Sequence, residues 1–140
     1  MGKTLVRFFG GAVMVFGGWL GLSASAHAQS FDIAADTQDG PVRQPLAQVV
    51  HVKNVGQLED TNVTVTFRAP KGAKIDCDCQ VEHFPGGLRS YIYTVGTLAP
   101  GQTAEITFSF SMTKSGDYSV IAQVIGDVSS AAALLQITIF

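Results

Sequence analysis

The chain has 140 residues, of which 46% are hydrophobic and only 14% are charged, against about 25% charged in an average soluble domain. Nine basic and eleven acidic residues give a net charge of −2, so the basic surface that nucleic-acid binding requires is missing. A chain this low in charge and rich in Val, Ile, Phe and Thr is not disordered. The composition leaves one small apolar domain with, at most, a short appendage.

The first 28 residues have the organisation of a secretory signal peptide. Lys3 and Arg7 form a basic start, an uncharged run of about 15 residues follows, and Ala26 and Ala28 are the small residues before a cut after residue 28. An uncleaved membrane anchor is the alternative, but the run is shorter than the roughly 20 apolar residues of a spanning helix and contains five glycines. The sequence therefore predicts a signal peptide at 1–28 and a mature domain at 29–140.

Removal of the signal changes the charge balance and the compartment. Lys3 and Arg7 leave with it, so that seven basic residues face eleven acidic ones and the net charge becomes −4. Export would place the domain in the periplasm or outside the cell, where disulfides persist.

The mature chain is predicted to be all-β. Apolar and polar residues alternate along it with a period of two, as in residues 62–68, where Val63, Val65 and Phe67 share one face. Gly, Pro, Asn and Asp punctuate the chain between such segments, and no room is left for crossover helices. The candidate strands are residues 31–35, 46–53, 62–68, 73–82, 89–95, 105–112, 118–124 and 135–139. About seven to eight strands in about 100 residues predict a single immunoglobulin-like β-sandwich.

Several of these segments also resemble a known family. Residues 49–56 (VVHVKNVG), 62–65 (NVTV) and 69–72 (APKG) are similar to the first half of the conserved-repeat domain of bacterial surface and secreted proteins. Residues 95–102 (VGTLAPGQ) and the alternating apolar residues after them are similar to its second half. The resemblance covers roughly residues 46–124. It implies an Ig-like fold at the cell envelope, in adhesive or structural proteins, and it carries no catalytic residues to this chain.

Cys77-Asp78-Cys79 is the sharpest chemical feature of the sequence. In a regular strand both thiols would point to the apolar face with Ile75, and their Cα atoms would be about 6.6 Å apart. That separation is at the outer limit of disulfide geometry. A Cys77–Cys79 disulfide is therefore strained unless the chain bulges or turns there. Two structural cysteines, buried or locally bridged, are the preferred interpretation.

Metal binding and redox chemistry are the alternatives for this motif. Adding His83 gives C-x-C-x3-H, a set of soft ligands suited to Cu(I) or Zn. A structural zinc site normally has four ligands, so His51 would have to come from another strand. A redox-active pair is the remaining alternative, although no basic residue beside it favours the thiolate.

The acidic residues are interpreted as solvated surface. Asp76, Asp78 and Glu82 would lie on the opposite face of the cysteine strand, as a hydrated row or an edge protected against pairing, with Ca²⁺ or a basic partner as the alternative. Glu59, Asp60, Asp32, Asp36 and Asp39 are expected in solvated loops, because no calcium-loop spacing is present.

Two apolar features leave an alternative open. Ile121 and Ile125 face away from Val120, so their strand is either covered on both sides or exposes a docking surface. The uncharged residues 131–140 are predicted to be the last strand of the sandwich, with pairing to a partner as the alternative.

No catalytic motif is present: the chain lacks G-x-S-x-G, H-E-x-x-H and a phosphate-binding glycine loop. His51 and His83 are the only histidines after residue 28. We therefore expect an exported, non-enzymatic Ig-like module without a cofactor that contacts an envelope or membrane protein. The alternatives are a periplasmic metal or thiol-redox protein using Cys77, Cys79 and His83, and an accessory subunit of a membrane complex held by an uncleaved N-terminal helix. The sequence assigns no partner-binding residues.

Overall fold

The computed structural model describes the backbone of residues 3–9 and the whole of residues 30–140. The described residues contain ten strands and no α-helix. The strands are β1 Lys3–Phe9, β2 Phe31–Gln38, β3 Leu46–Asn54, β4 Asp60–Arg68, β5 Lys74–Asp76, β6 Gln80–Phe84, β7 Leu88–Leu98, β8 Thr103–Ser111, β9 Gly116–Ile125 and β10 Ser130–Ile139.

These strands form two sheets of five strands each. The first has the order β1-β2-β3-β8-β5 and the second β10-β9-β4-β7-β6, and neighbouring strands are antiparallel throughout. The predicted all-β, Ig-like sandwich is confirmed. Residues 30–140 contain nine strands instead of seven or eight, because the segment predicted as one strand at 73–82 is two strands in different sheets.

The core lies between the inner faces of the two sheets. It consists of the apolar side chains that alternate with polar ones along the strands. Ile106, Phe108 and Phe110 of β8 are buried, as the alternation predicted. Val63, Val65 and Phe67 of β4 face them from the second sheet, where the rings of Phe67 and Phe108 approach to 4.6 Å. Because each fully buried Phe, Leu, Ile or Val contributes about 1.5–3 kcal/mol, this double layer is what holds the module together.

The N-terminal predictions fall mainly outside the described residues. Of the predicted signal peptide 1–28, only residues 3–9 are described, as β1, which pairs with β2 from Lys3 opposite Gln38 to Phe9 opposite Asp32. Cleavage after residue 28 and the alternative anchor remain predictions. Within the described residues, no helix is long and apolar enough to span a membrane.

The C-terminal segment is the last strand of the sandwich, as predicted. β10 pairs with β9 over its whole length. Its other edge is partly covered, since Gly40 N donates to Thr138 O and Phe140 N donates to Gly40 O. The strand of Ile121 and Ile125, β9, is not covered on both sides. These two side chains are 42% and 43% exposed on the outer face of the second sheet.

The expectation of solvated acidic loops is wrong at three positions. Asp32 and Asp36 lie within β2, where Asp32 is buried and Asp36 is half-buried. Asp60 is fully buried at the start of β4. Its carboxylate accepts hydrogen bonds from the backbone of Val128 and Ser129, a long-range contact that local sequence does not reveal.

Candidate functional site

The chain changes sheets at the cysteine motif. β5 pairs with β8 in the first sheet, whereas β6 pairs with β7 in the second. Only residues 77–79 connect them, and a disulfide joins Cys77 to Cys79 with the Cα atoms 5.2 Å apart. This separation is shorter than the two-residue step of a regular strand, about 6.6 Å, because the backbone bends here. The disulfide thus fixes the bend by which the chain crosses from one sheet to the other.

The regular strand expected through the cysteines is wrong for the same reason. Ile75 is buried in the first sheet, but Val81 is exposed in the second. Asp76, Asp78 and Glu82 are all exposed, and they do not form a row, because Asp76 and Glu82 belong to different sheets.

The structure does not assemble the ligand set predicted for a metal. With both sulfurs in the disulfide, neither is available as a thiolate. His83 is four residues beyond Cys79 along extended β6, about 13 Å at 3.3 Å per residue. His51 lies on β3, where its Nδ1 is 3.6 Å from Glu105 Oε2. Among the described residues, no cluster of three or more His, Cys, Asp or Glu side chains could hold an ion, so metal binding remains a prediction for the reduced protein.

The β6–β7 hairpin extends from this crossing. A tight turn at Pro85–Gly87 connects the two strands, and Gly86 and Gly87 have φ of 84° and 80°, the left-handed region that glycine tolerates best. All five residues of β6 are exposed. Among the residues that the structure describes, β6 pairs only with β7, so its outer edge presents backbone groups that no described strand pairs with.

A cationic groove separates this hairpin from the turn at residues 69–74. Lys71, Lys74 and Arg89 line it together with Gly87 and Tyr91, and its volume is about 390 Å³. Tyr91 is buried at its floor. Pro70 and Gly72 (φ 89°) shape the turn, and Ala73 N donates to Pro70 O across it. The local sequence APKGAK therefore projects two lysines toward the arginine of the facing strand.

A smaller apolar groove lies on the other side of the hairpin base. It has a volume of about 230 Å³ and is lined by Phe84, Leu88 and Arg68, with Arg89 shared between both grooves. Phe84 and Leu88 are 47% and 48% exposed. We call the two grooves and strand β6 together the hairpin end of the molecule.

The charges of the hairpin end are not neutralised internally. Arg68, Lys71, Lys74 and Arg89 make up four of the seven basic residues after residue 28. Among the described residues, His51 and Glu105 form an ion pair. None of the four cations of the hairpin end forms an ion pair with another described residue. A cluster of positive charge thus lies on a domain of net charge −4.

Sequence reasoning missed this cluster. Arg68, Lys71 and Lys74 recur every third residue across a Pro-Gly turn, a spacing that indicates a shared surface. Arg89 is 15 residues further along the chain and joins them only because β7 returns beside β4. The crossing at the cysteines determines that return, and the sequence did not reveal it.

Comparison with known proteins places the fold. No protein-family model matches the sequence, and no curated protein matches it. The crystal structure of the CARDB domain of a Pyrococcus furiosus protein, in complex with di-metal ions, is similar with a TM-score of 0.56 at 20% identity, over 80% of this chain and 89% of that chain. A cohesin module of a Clostridium perfringens family 33 glycoside hydrolase is similar with a TM-score of 0.53 at 10% identity, over 76% and 94%.

These similarities concern the fold. The protein is an Ig-like β-sandwich module of the kind seen in CARDB and cohesin domains, as the resemblance to a surface-protein repeat implied. Because the same sandwich carries many functions, what the module does must be argued from the hairpin end.

Proposed function

We propose that this protein is an exported, non-catalytic Ig-like module that binds a partner protein of the cell envelope through its hairpin end. The observation that carries the proposal is the cationic groove of Lys71, Lys74 and Arg89, which has no acidic partner within the described residues and borders the open edge of β6. The signal-like sequence 1–28 supports export.

The chemistry of the groove indicates the kind of partner. Arginine and lysine around a concave surface attract carboxylates and raise the rate of encounter with an acidic surface. Phe84 and Leu88 add exposed apolar area beside the cations. An acidic segment with an apolar residue next to its carboxylates would satisfy both grooves of the hairpin end.

The open edge of β6 suggests how such a segment binds. An extended peptide adds to a sheet edge through backbone hydrogen bonds, while the neighbouring side chains select its sequence. The five exposed residues of β6 are long enough for such pairing. The partner that fits is therefore an extended acidic segment of another envelope protein.

A binding role also agrees with the absence of catalytic groupings. The sequence lacks G-x-S-x-G, H-E-x-x-H and a phosphate-binding glycine loop, and the cationic groove is lined by three cations and a buried tyrosine without a carboxylate. An enzyme would need positioned acid, base or nucleophile groups at such a site.

The test is co-purification of the full chain, expressed in an exporting bacterium and recovered from envelope extract under mild conditions. We expect a stoichiometric partner with the wild type and its loss in the double variant K71E/R89E. The matched control is K53E/K114E, which makes the same charge change at two exposed lysines that do not line the groove. If the partner binds in the groove, it should still co-purify with this control variant.

Salt dependence provides a second reading of the same experiment. Contacts between exposed charges weaken as the Debye length shortens from about 10 Å at 0.1 M to about 3 Å at 1 M salt. We expect high salt to release the wild-type partner. Recovery of the wild type alone, or equal capture by the two double variants, would contradict the proposal.

A further inference from the structure

The first sheet ends on an edge that depends on the first residues of the chain. β2 pairs with β3 on one side and with β1 on the other. β1 lies within the 28 residues predicted to be removed on export. Without β1, no other strand of the described residues lies beside the outer edge of β2.

We propose that, in the exported protein, this β2 edge binds an extended segment of a partner protein in which apolar and basic residues alternate. This surface is at the opposite edge of the first sheet from β5, so it is separate from the hairpin end. The proposal rests on removal of residues 1–28 and not on the cationic groove.

The β1–β2 register shows which sequence the edge accepts. Val6 and Phe8 are opposite Ala35 and Ile33, both of which are fully buried on the inner face of β2. A strand at this edge thus extends the core face with apolar residues at alternate positions.

The intervening positions explain why the segment should be basic. Arg7 is opposite Ala34, and its diagonal neighbours in the ladder are Asp32 and Asp36, which are themselves directly opposite Phe9 and Leu5. Diagonal positions on one face of an antiparallel pair are about 7–8 Å apart, which is within reach of long side chains. An acidic β2 edge therefore favours cations at these positions of its partner.

The same acids disfavour a second copy of the chain as the partner. Antiparallel pairing of β2 with its own copy, centred on Ala34, would place each Asp32 opposite Asp36 of the other copy. Like charges directly opposite each other destabilise a strand pair. A strand with basic residues avoids this repulsion.

The edge is held in place independently of β1. At the start of β2, Val55 N donates to Ser30 O at 3.1 Å. At its end, the buried side chain of Gln48 binds the backbone of Gln38 twice, accepting from its N at 2.8 Å and donating to its O at 3.0 Å. Because both ends are fixed within residues 30–55, β2 remains a preformed template after removal of residues 1–28.

The experiment begins with the full chain expressed in an exporting bacterium. Intact mass gives the start of the purified protein, which we expect at Gln29. The probe is a synthetic peptide with the sequence of residues 3–9, KTLVRFF, added to this protein. We expect binding that slows amide hydrogen exchange in residues 31–38.

Two substitutions separate the edge from general charge effects. We expect D36K to weaken peptide binding by about fivefold or more and D76K, on the exposed β5 at the other edge of the same sheet, to leave it unchanged. A peptide with glutamate in place of both Lys3 and Arg7 should bind about tenfold more weakly.

Three results would overturn the proposal. The first is a purified protein that retains residues 1–28 and so keeps its edge covered. The second is a peptide that leaves exchange in residues 31–38 unchanged. The third is concentration-dependent protection of β2 without peptide, which would indicate pairing between two copies. Loss of co-purification in K71E/R89E leaves this experiment unaffected, so the two proposals fail separately.

Discussion

The two ends of the sandwich differ in whether their charged side chains have partners among the described residues. At one end, the buried Asp60 carboxylate accepts hydrogen bonds from Val128 N at 3.0 Å, Ser129 N at 3.2 Å and Ser129 Oγ at 2.8 Å. Nearby, Thr61 Oγ1 and Asn62 Nδ2 both donate to Asp127. Each acid closes the loop between β9 and β10 over the start of β4.

The hairpin end has cations without such partners. Its four basic residues form no ion pair within the described residues, and its apolar side chains Phe84 and Leu88 remain half-exposed. Since both ends belong to the same two sheets, the fold does not require this difference. We infer that the Asp60 end stabilises the module and that the hairpin end is available for binding.

The largest expected effect is the loss of the Asp60 anchor. D60A removes the buried acceptor of three partly buried hydrogen bonds, and a donor that loses its partner in a buried position costs about 1–3 kcal/mol, less where water can reach it. We expect the free energy of unfolding, measured by urea denaturation, to fall by about 3 kcal/mol. The carboxylate can lie this close to residue 126 because that residue is glycine, since a Cβ there would collide with it.

The control for this variant is D117A. Asp117 is exposed and accepts one hydrogen bond from Thr138 Oγ1, so its removal should change the unfolding free energy far less. Equal destabilisation by the two variants would mean that burial of Asp60 does not distinguish this end of the molecule.

A smaller effect is expected from the disulfide at the crossing. Replacing both Cys77 and Cys79 by serine removes a very short cross-link, and the loop-entropy relation gives a loss of about 1–2 kcal/mol. We expect faster amide exchange in β6 and in the Pro85–Gly87 turn, because this bend positions the hairpin. Exchange around Asp60 should not change.

Amide exchange in this double variant tests whether the Asp60 end and the hairpin end are independent of each other. If exchange rises at the Asp60 end as well, the two ends are coupled and the hairpin is not an independently adjustable binding element. If exchange in β6 does not rise, the disulfide does not fix the crossing.

The sequence predicted what depends on neighbouring residues. Alternation identified the inner faces of β4 and β8, because side-chain direction in a strand reverses at each residue. The same local reasoning predicted one regular strand through Cys77 and Cys79, where the chain instead changes sheets. It also placed Asp60 in solvent, because the groups that bind it come from 68 and 69 residues later.

The cationic groove, too, could not be predicted from neighbouring residues in the sequence. Lys71 and Lys74 are close in sequence, but Arg89 joins them only through the pairing of β4 with β7. Long-range pairing of this kind depends on the whole topology. The sequence therefore contained the cations of the groove without indicating that they form one.

The smallest expected effect concerns Asp127 in acid. Hydrogen bonds from Thr61 and then Asn62 hold the pKa of this carboxyl below its ordinary value of 3.8. The folded protein thus binds the proton less tightly than the unfolded chain. The stabilisation from the charged form is complete above the ordinary pKa, and it is lost as the pH falls through the lowered pKa of the folded state.

A comparison of the wild type with D127N by urea denaturation, from about pH 6 to about pH 2, measures this contribution. The asparagine does not titrate, so the difference in unfolding free energy should be constant above the ordinary pKa and should shrink only below it. Because Asp127 is exposed, solvent screens the interaction and the change should be much smaller than that of D60A. A difference that does not depend on pH would show that the hydrogen bonds from Thr61 and Asn62 do not favour the charged carboxylate, and the Asp60 end would then rest on its buried anchor alone.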